Sequence, residues 1–394
     1  MEGGQQFATW ASVDIPERNA DFGKVSVLPS DFLTKLNTAS NIYTFRDFIL
    51  LPGRSEVEPG EIDLSTMLTK RIRLKLPLIS SPMDTVTEWR LALEMARLGG
   101  VGAIHRNIPI ETQVEQARKV KASKIEVAST DDKGRPLVGA SVSPLDPERC
   151  KALDKVVDFL VADVAHFHTS KVIEGARKVL PSLSADFLAG NVGTRQAVFD
   201  ILNELPRVDG FRAGIGSGSI CITTEVTRVG APTLFAVAEV ASAVKERNAR
   251  IPVVADGGIR GPGDASLAIA AGASTAMMGS MLAGTDEAPT AVMTRGGKKF
   301  KIHRGMASAA ARKVRFAIDR YSVPAKGLDE GVEAYVPYAG RAEEVVQRME
   351  HGLKAAFGYA GAGSIKEMWE KASFGLVTST GASELGAHSF EVKK

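Results

Sequence analysis

Short apolar runs rich in β-branched residues alternate with longer amphipathic stretches from about residue 76 onward. The runs predict strands at Leu76–Ser81, Gly100–His105, Leu137–Val142, Asp158–Asp163, Asp186–Asn191, Gly210–Gly214, Ile251–Asp256 and Ser274–Gly279. Between them, apolar residues three and four apart predict helices over 87–99, 110–124, 146–156, 169–182, 194–205, 232–248 and 262–272, with an eighth delayed to 341–357. Eight such units predict an α/β fold, a (β/α)8 TIM barrel. The rival, an open doubly wound sheet, usually puts its glycine-rich turn after the first strand. Here the glycine loop follows the sixth.

Outside the beat, residues 1–40 show no sustained period and read as an N-terminal arm. Residues 41–75 read as short strands and turns, with Leu51-Pro52-Gly53 as one turn. The expected organisation is the arm followed by one catalytic barrel over 41–394, with a short link at 122–133. A long insertion, 281–340, separates strand eight from helix eight. It carries Gly296-Gly297-Lys298-Lys299, Arg304-Gly305-Met306-Ala307 and Asp319-Arg320-Tyr321, a mixture that predicts a lid, or flap, over the barrel mouth.

Composition narrows the class. A 44% hydrophobic content supports a substantial core, and a net charge of +3 with dispersed Lys and Arg argues against a nucleic-acid face. Only Cys150 and Cys221 are present, so no disulfide framework is indicated and a reducing compartment fits. No apolar run reaches ~18 residues, so no membrane span is expected. Met1–Ala11 lacks a signal-peptide core, and a cytoplasmic location is expected.

The chemistry gathers at predicted strand ends, which a barrel brings to one rim. Strand six runs into Gly214-Ile215-Gly216-Ser217-Gly218-Ser219-Ile220-Cys221-Ile222-Thr223-Thr224. Glycines let backbone approach a ligand closely, and successive N–H groups can form an anion nest. An arbitrary cysteine is more often a buried structural thiol. After this loop, at a strand end, Cys221 reads instead as a nucleophile. Cys150 lies in a predicted helix with no such context and reads as inert. Gly257-Gly258 and Gly279-Ser280 follow strands seven and eight, where barrels often bind phosphate, and Ser219 adds a hydroxyl. Each pair alone would be a plain turn; together on one rim they point to an anion site. Asp256, beside them, suits ribose hydroxyls, so the expected ligand is a nucleoside monophosphate. Asp163 is the corresponding candidate for a cofactor ribose. His166 and His168 have no third ligand at useful spacing and read as packing or hydrogen-bonding residues. No Gly-x-Gly-x-x-Gly follows an early strand, so a nicotinamide cofactor would bind without that fingerprint.

Four stretches together resemble the IMP dehydrogenase / GMP reductase family: Ser80-Ser81-Pro82-Met83-Asp84-Thr85-Val86-Thr87-Glu88, the loop ending in Cys221-Ile222-Thr223, Ala255-Asp256-Gly257-Gly258-Ile259, and Met278-Gly279-Ser280 followed by Ala283-Gly284-Thr285. The resemblance runs from about Tyr43 to His388. It implies oxidation of IMP to XMP with NAD+. Cys221 would add to purine C2, and Arg320, aided by Tyr321 and Thr223, would activate water against the resulting thioimidate. Asp319-Arg320-Tyr321 resembles the flap dyad of the dehydrogenases, which GMP reductases generally lack. The alternatives are a GMP reductase using NADPH and a catalytically silent purine-nucleotide-binding protein.

The same resemblance places Ser81 and Met83 near base and ribose, and Asp256 on the ribose. It places Ser219, Gly258, Gly279 and Ser280 on the phosphate, and Met306, Ala307 and Glu330 on the purine. Asp163, Asn191, Gly214 and Gly216 fall at the cofactor. Carbonyls of Gly216, Gly218 and Cys221, with Glu384, Leu385 and Gly386 of a neighbouring subunit, would hold K+ in a homotetramer. The regulatory CBS repeats common in the family are replaced by the link near Ala122–Lys133, which implies no nucleotide regulation through that module. Phe167 stands in place of glycine beside the expected cofactor site, His303 in place of a phosphate-binding tyrosine, Arg212 in place of a common lysine, and Ser322 in place of phenylalanine.

Overall fold

The eight runs pair in chain order into a closed parallel barrel. The structure is a computed structural model that describes residues 38–308, 311, 330–378, 380 and 381. Its strands are β1 (Leu78–Ser80), β2 (Val101–Ile104), β3 (Gly139–Val142), β4 (Phe159–Ala162), β5 (Asp186–Val192), β6 (Gly210–Ala213), β7 (Val253–Asp256) and β8 (Thr275–Met278). β8 closes on β1 with Ala276, Met277 and Met278 opposite Leu78, Ile79 and Ser80. The helices are α1 (Trp89–Arg97), α2 (Ile110–Lys121), α3 (Pro147–Asp154), α4 (Ser170–Val179), α5 (Arg195–Glu204), α6 (Thr233–Glu246), α7 (Pro262–Ala270) and α8 (Ala342–Ala360). The chain divides into two compact units, Met1–Asn41 and Ile42–Lys394. Of the first, residues 38–41 are described, and they are exposed and irregular.

Why these runs become strands is visible in their burial. Every residue of β2, β3, β4, β6 and β8 is buried, because helices cover one face and the barrel interior covers the other. Side chains still alternate. On β4, Phe159 and Val161 point inward with Ile79, Val101, Leu188 and Val254, while Leu160 and Ala162 join the helix-facing core. Phe159 leaves no room beside it: a Cβ on Gly139 would lie 2.2 Å from the ring. Helix starts follow local chemistry. Asp146, Thr169 and Thr194 accept the backbone N–H of Arg149, Val172 and Ala197. α8 stops at Gly361, whose φ of 72° is the left-handed cap that glycine supplies.

The insertion departs from a plain loop. Met293–Arg295, Lys298–Arg304 and Glu333–Pro337 form a three-stranded antiparallel sheet. Gly296-Gly297, expected as part of a lid, is its hairpin turn, with both φ values positive (56° and 73°), as a two-residue turn of this hand requires. Buried Lys301 donates to the carbonyls of Thr285 and Ala288 (2.6 and 2.8 Å) and ties the sheet to the segment after β8. The short strands expected over 41–75 are present at Phe48–Leu51, Thr66–Met67 and Arg73–Leu74, while the pattern missed helix Ile365–Lys371 and strand Ser373–Leu376, the antiparallel partner of Phe48–Leu51. At the short link, Lys121 bridges Asp131 and Asp158 (3.1 and 2.7 Å). Among the described residues no helix is long and apolar enough to cross a membrane.

Candidate active site

The loops after the strands open onto one cleft with a cavity of about 150 Å³. After β6 the chain turns at Gly214, whose φ is 127° and whose absent Cβ would sit 2.3 Å from the Asp256 carbonyl oxygen. Ile215 then pairs with Ala231, and Cys221 N–H donates to the Gly218 carbonyl (3.0 Å). This loop sets Gly216, Gly218, Ser219, Cys221 and Thr223 along one wall. After β7, Asp256 and Gly258 form the adjoining wall, joined by Gly279 and Ser280 after β8 and by Ser81 and Met83 after β1. Thr87 Oγ1 donates to the Ser81 carbonyl (2.7 Å) and holds that last loop in place. Cys221, Ser219, Asp256 and Ser280 therefore share one cavity.

The insertion closes the cleft from the other side with Met306, Ala307 and Glu330. Its two limbs cross at glycines: a Cβ on Gly331 would lie 3.2 Å from Gly305 Cα. The returning limb also pairs with the cysteine loop. Val332 N–H donates to the Ile220 carbonyl (3.0 Å), and Ile222 N–H donates to the Glu330 carbonyl (3.1 Å). This pairing brings the Glu330 side chain to Thr223 and Cys221. Cys221 Sγ donates to Thr223 Oγ1 (3.2 Å), and Thr223 Oγ1 donates to Glu330 Oε2 (3.0 Å). A thiol, a hydroxyl and a carboxylate thus stand in a line along which a proton can pass to the acid's oxygen. Sequence reasoning named all three residues but not this line, because Thr223 and Glu330 are 107 positions apart.

Asp163, expected at a cofactor ribose, lies elsewhere. It is fully buried and does not line the cleft, and its carboxylate accepts from Arg212 Nη1 (3.1 Å). Asn191 does reach the cleft, where its amide donates to Asp256 Oδ2 and to the Gly214 carbonyl (2.7 Å each). Phe167 is not among the residues that line the cleft; it is buried against Phe187, with ring centroids 6.2 Å apart. His168 binds Asp200 (2.9 Å), and Cys150 Sγ donates to the Ser143 carbonyl (3.3 Å). Arg320, Tyr321, Ser322, Glu384, Leu385 and Gly386 lie outside the described residues.

Two cleft features had only weak sequence signals. Arg304 clamps Asp84 through Nε (3.1 Å) and Nη2 (2.8 Å), which locks the insertion to the loop after β1. His303 lines the cleft with 1% exposure, and its Nδ1 lies 3.1 Å from Thr85 Oγ1. Burial pushes its pKa from 6.5 down to about 4, against the opposing pull of Asp84. Folded His303 is therefore neutral where the unfolded chain already takes a proton. Its contribution to stability is complete above pH 6.5 and is lost as pH falls toward 4. A depression of that size corresponds to about 3 kcal/mol. Urea denaturation of wild type and His303→Gln across this range should show the difference between them shifting against wild type on acidification. A difference independent of pH would mean that the ring is not held neutral.

Comparison with known proteins gives a consistent result. Residues 42–388 match the IMP dehydrogenase / GMP reductase domain. The chain is 38% identical to an inosine-5'-monophosphate dehydrogenase of Korarchaeum cryptofilum, over 88% of this chain and 96% of the relative. It is 39% identical to the protein of the same name from Cryptosporidium parvum, over 89% and 96%. The one from Methanocaldococcus jannaschii is 36% identical, over 91% and 97%.

Proposed function

Because this chain belongs to the IMP dehydrogenase / GMP reductase family, we propose that it oxidises IMP to XMP, in guanine nucleotide synthesis, through a covalent bond to Cys221. The observation that carries this reading is the line from Cys221 through Thr223 to Glu330, beside the walls formed by Asp256 and Ser280.

IMP enters with its phosphate against Ser219, Gly258, Gly279 and Ser280, its ribose on Asp256, and its base between Met83 and the Met306–Ala307 backbone. The Cys221 thiol gives its proton through Thr223 to Glu330, and the sulfur adds to C2 of the purine. NAD+, when bound beside Asn191 and Gly214, supplies the acceptor for the hydride that leaves C2. Water then attacks the thioimidate carbon, the C–S bond breaks, and XMP and the thiol are released. Glu330 first loses the thiol's proton to solvent, the one proton in the balance; with Thr223 it is then placed to take the water's proton and return it to the leaving sulfur, and Arg320 and Tyr321 of the insertion would assist. The balance is IMP, NAD+ and water giving XMP, NADH and a proton.

Carbonyls of Gly216, Gly218 and Cys221, with those of Glu384, Leu385 and Gly386 from a second subunit, would hold K+. This donor set of neutral oxygens suits a weakly hydrated monovalent ion better than a transition metal. A homotetramer in the cytoplasm follows from the same reading.

Purified protein with IMP, NAD+ and K+ should produce NADH, read by its near-ultraviolet absorbance, together with XMP. Turnover only with GMP and NADPH would move the assignment to the reductase branch of the family.

A further inference from the structure

Asp256 lines the cleft, yet both protein donors reach the same one of its two oxygens. Arg212 Nε donates to Asp256 Oδ2 (2.9 Å), and Asn191 Nδ2 donates to that atom too (2.7 Å). The donors come from β5 and β6, the two strands that precede β7 round the barrel, and their two bonds to one oxygen hold the carboxylate in a fixed pose. The side chain is 15% exposed and lines the cleft, and among the described residues both hydrogen bonds to the carboxylate fall on Oδ2 rather than Oδ1. Arg212 is itself 3% exposed and held at its other end, where Nη1 donates to Asp163 Oδ1 (3.1 Å). Asp163 is anchored in turn, because Arg106 Nη2 donates to its carbonyl (2.8 Å) and Arg106 Nε lies 3.7 Å from Oδ2. Charges alternate in a row that ends at the cleft: Arg106, Asp163, Arg212, Asp256. A guanidinium fork can hold two carboxylates at fixed angles, whereas an ammonium offers a single charged point. Removing one member of such a buried row leaves its neighbour uncompensated.

We infer that Arg212 is a positioning residue that turns Asp256 Oδ1 toward the ribose hydroxyls of the substrate, and that Asp163 keeps Arg212 in that pose. The inference rests on the proposed nucleotide reading of the cleft. It gives the buried Asp163 a task at the substrate end of the site without requiring it to touch a ligand. The expected signature is discrimination at the sugar, since a hydroxyl donating to a correctly turned carboxylate is lost in the 2'-deoxy nucleotide.

Calorimetric titration of the full chain with IMP and with 2'-deoxy-IMP tests this. Wild type should prefer IMP by ~10-fold or more, the worth of a hydrogen bond to a charged group. In Arg212→Gln that preference should collapse, mainly through weaker IMP binding. Asp163→Asn is nearly isosteric, keeps the fold if the arginine variant does not, and should reduce the preference in the same direction. If either folded variant keeps the full preference, or if both variants weaken the two nucleotides equally, Arg212 is only a structural counter-ion and the inference fails. If wild type binds neither nucleotide, the nucleotide reading itself has failed, and the wild-type titration shows this before any variant is made.

Discussion

Cys221→Ala is expected to abolish turnover, by roughly 10⁴-fold or more, because among the described residues Cys221 is the one thiol lining the cleft that could form the proposed covalent bond to C2. IMP binding should survive largely intact. The proposed phosphate and ribose contacts come from Ser219, Asp256, Gly258 and Ser280, which line the cleft independently of the sulfur. The loop should also hold its shape, since Cys221 is anchored by its backbone N–H to the Gly218 carbonyl and Ile222 N–H binds the Glu330 carbonyl. Steady-state NADH formation and calorimetry with IMP measure the two halves of this expectation. Mass spectrometry of wild type quenched during turnover should find the purine attached to Cys221. Loss of IMP binding in the alanine variant would make the loop structural. Persistence of turnover would require another nucleophile.

Glu330→Gln is expected to slow turnover by ~10²–10⁴-fold, the usual range for removing a proton acceptor that works in the transition state. The substitution keeps shape, the backbone carbonyl that receives Ile222 N–H and an amide oxygen that can accept the Thr223 hydroxyl, and it removes the carboxylate's charge and its capacity to take a proton. Two roles for Glu330 then separate cleanly. If it relays protons, kcat falls while the KM for IMP changes little. If it only touches the purine ring, KM rises and kcat stands. Thr223→Val should reproduce the first pattern, because it breaks the same line one atom earlier.

The barrel was legible because its strands are short and buried on both faces. Such strands must be apolar almost throughout, and runs like Phe159–Ala162 stand out against the amphipathic helices around them. Their edges moved by a few residues, as in Leu76–Ser81, which shrank to Leu78–Ser80. The insertion's sheet was not legible. All three residues of Met293–Arg295 are exposed, and Lys298 and Lys299 carry charge where a buried strand would carry apolar side chains. That sheet is registered by the turn at Gly296-Gly297 and by the buried ammonium of Lys301, neither of which produces a period. The resemblance read Phe167 as a residue beside the cofactor, and packing sends it to Phe187. Asp163 appeared as a ligand at a strand end, and the fold surrounds it with guanidinium groups.

Local chemistry in the chain was sufficient for the strand–helix beat, for the glycine turns that need positive φ, and for a cysteine at the end of the sixth strand. These depend on neighbours within a few residues. Which polar groups meet depended on closure of the barrel and on the return of the insertion. Thr223 reaches Glu330 across 107 positions, and Arg212 reaches Asp163 and Asp256 across 49 and 44. Hydrogen bonds act over about 3 Å in space and carry no memory of separation along the chain. Pairings of this kind are decided only when the backbone has been folded into place.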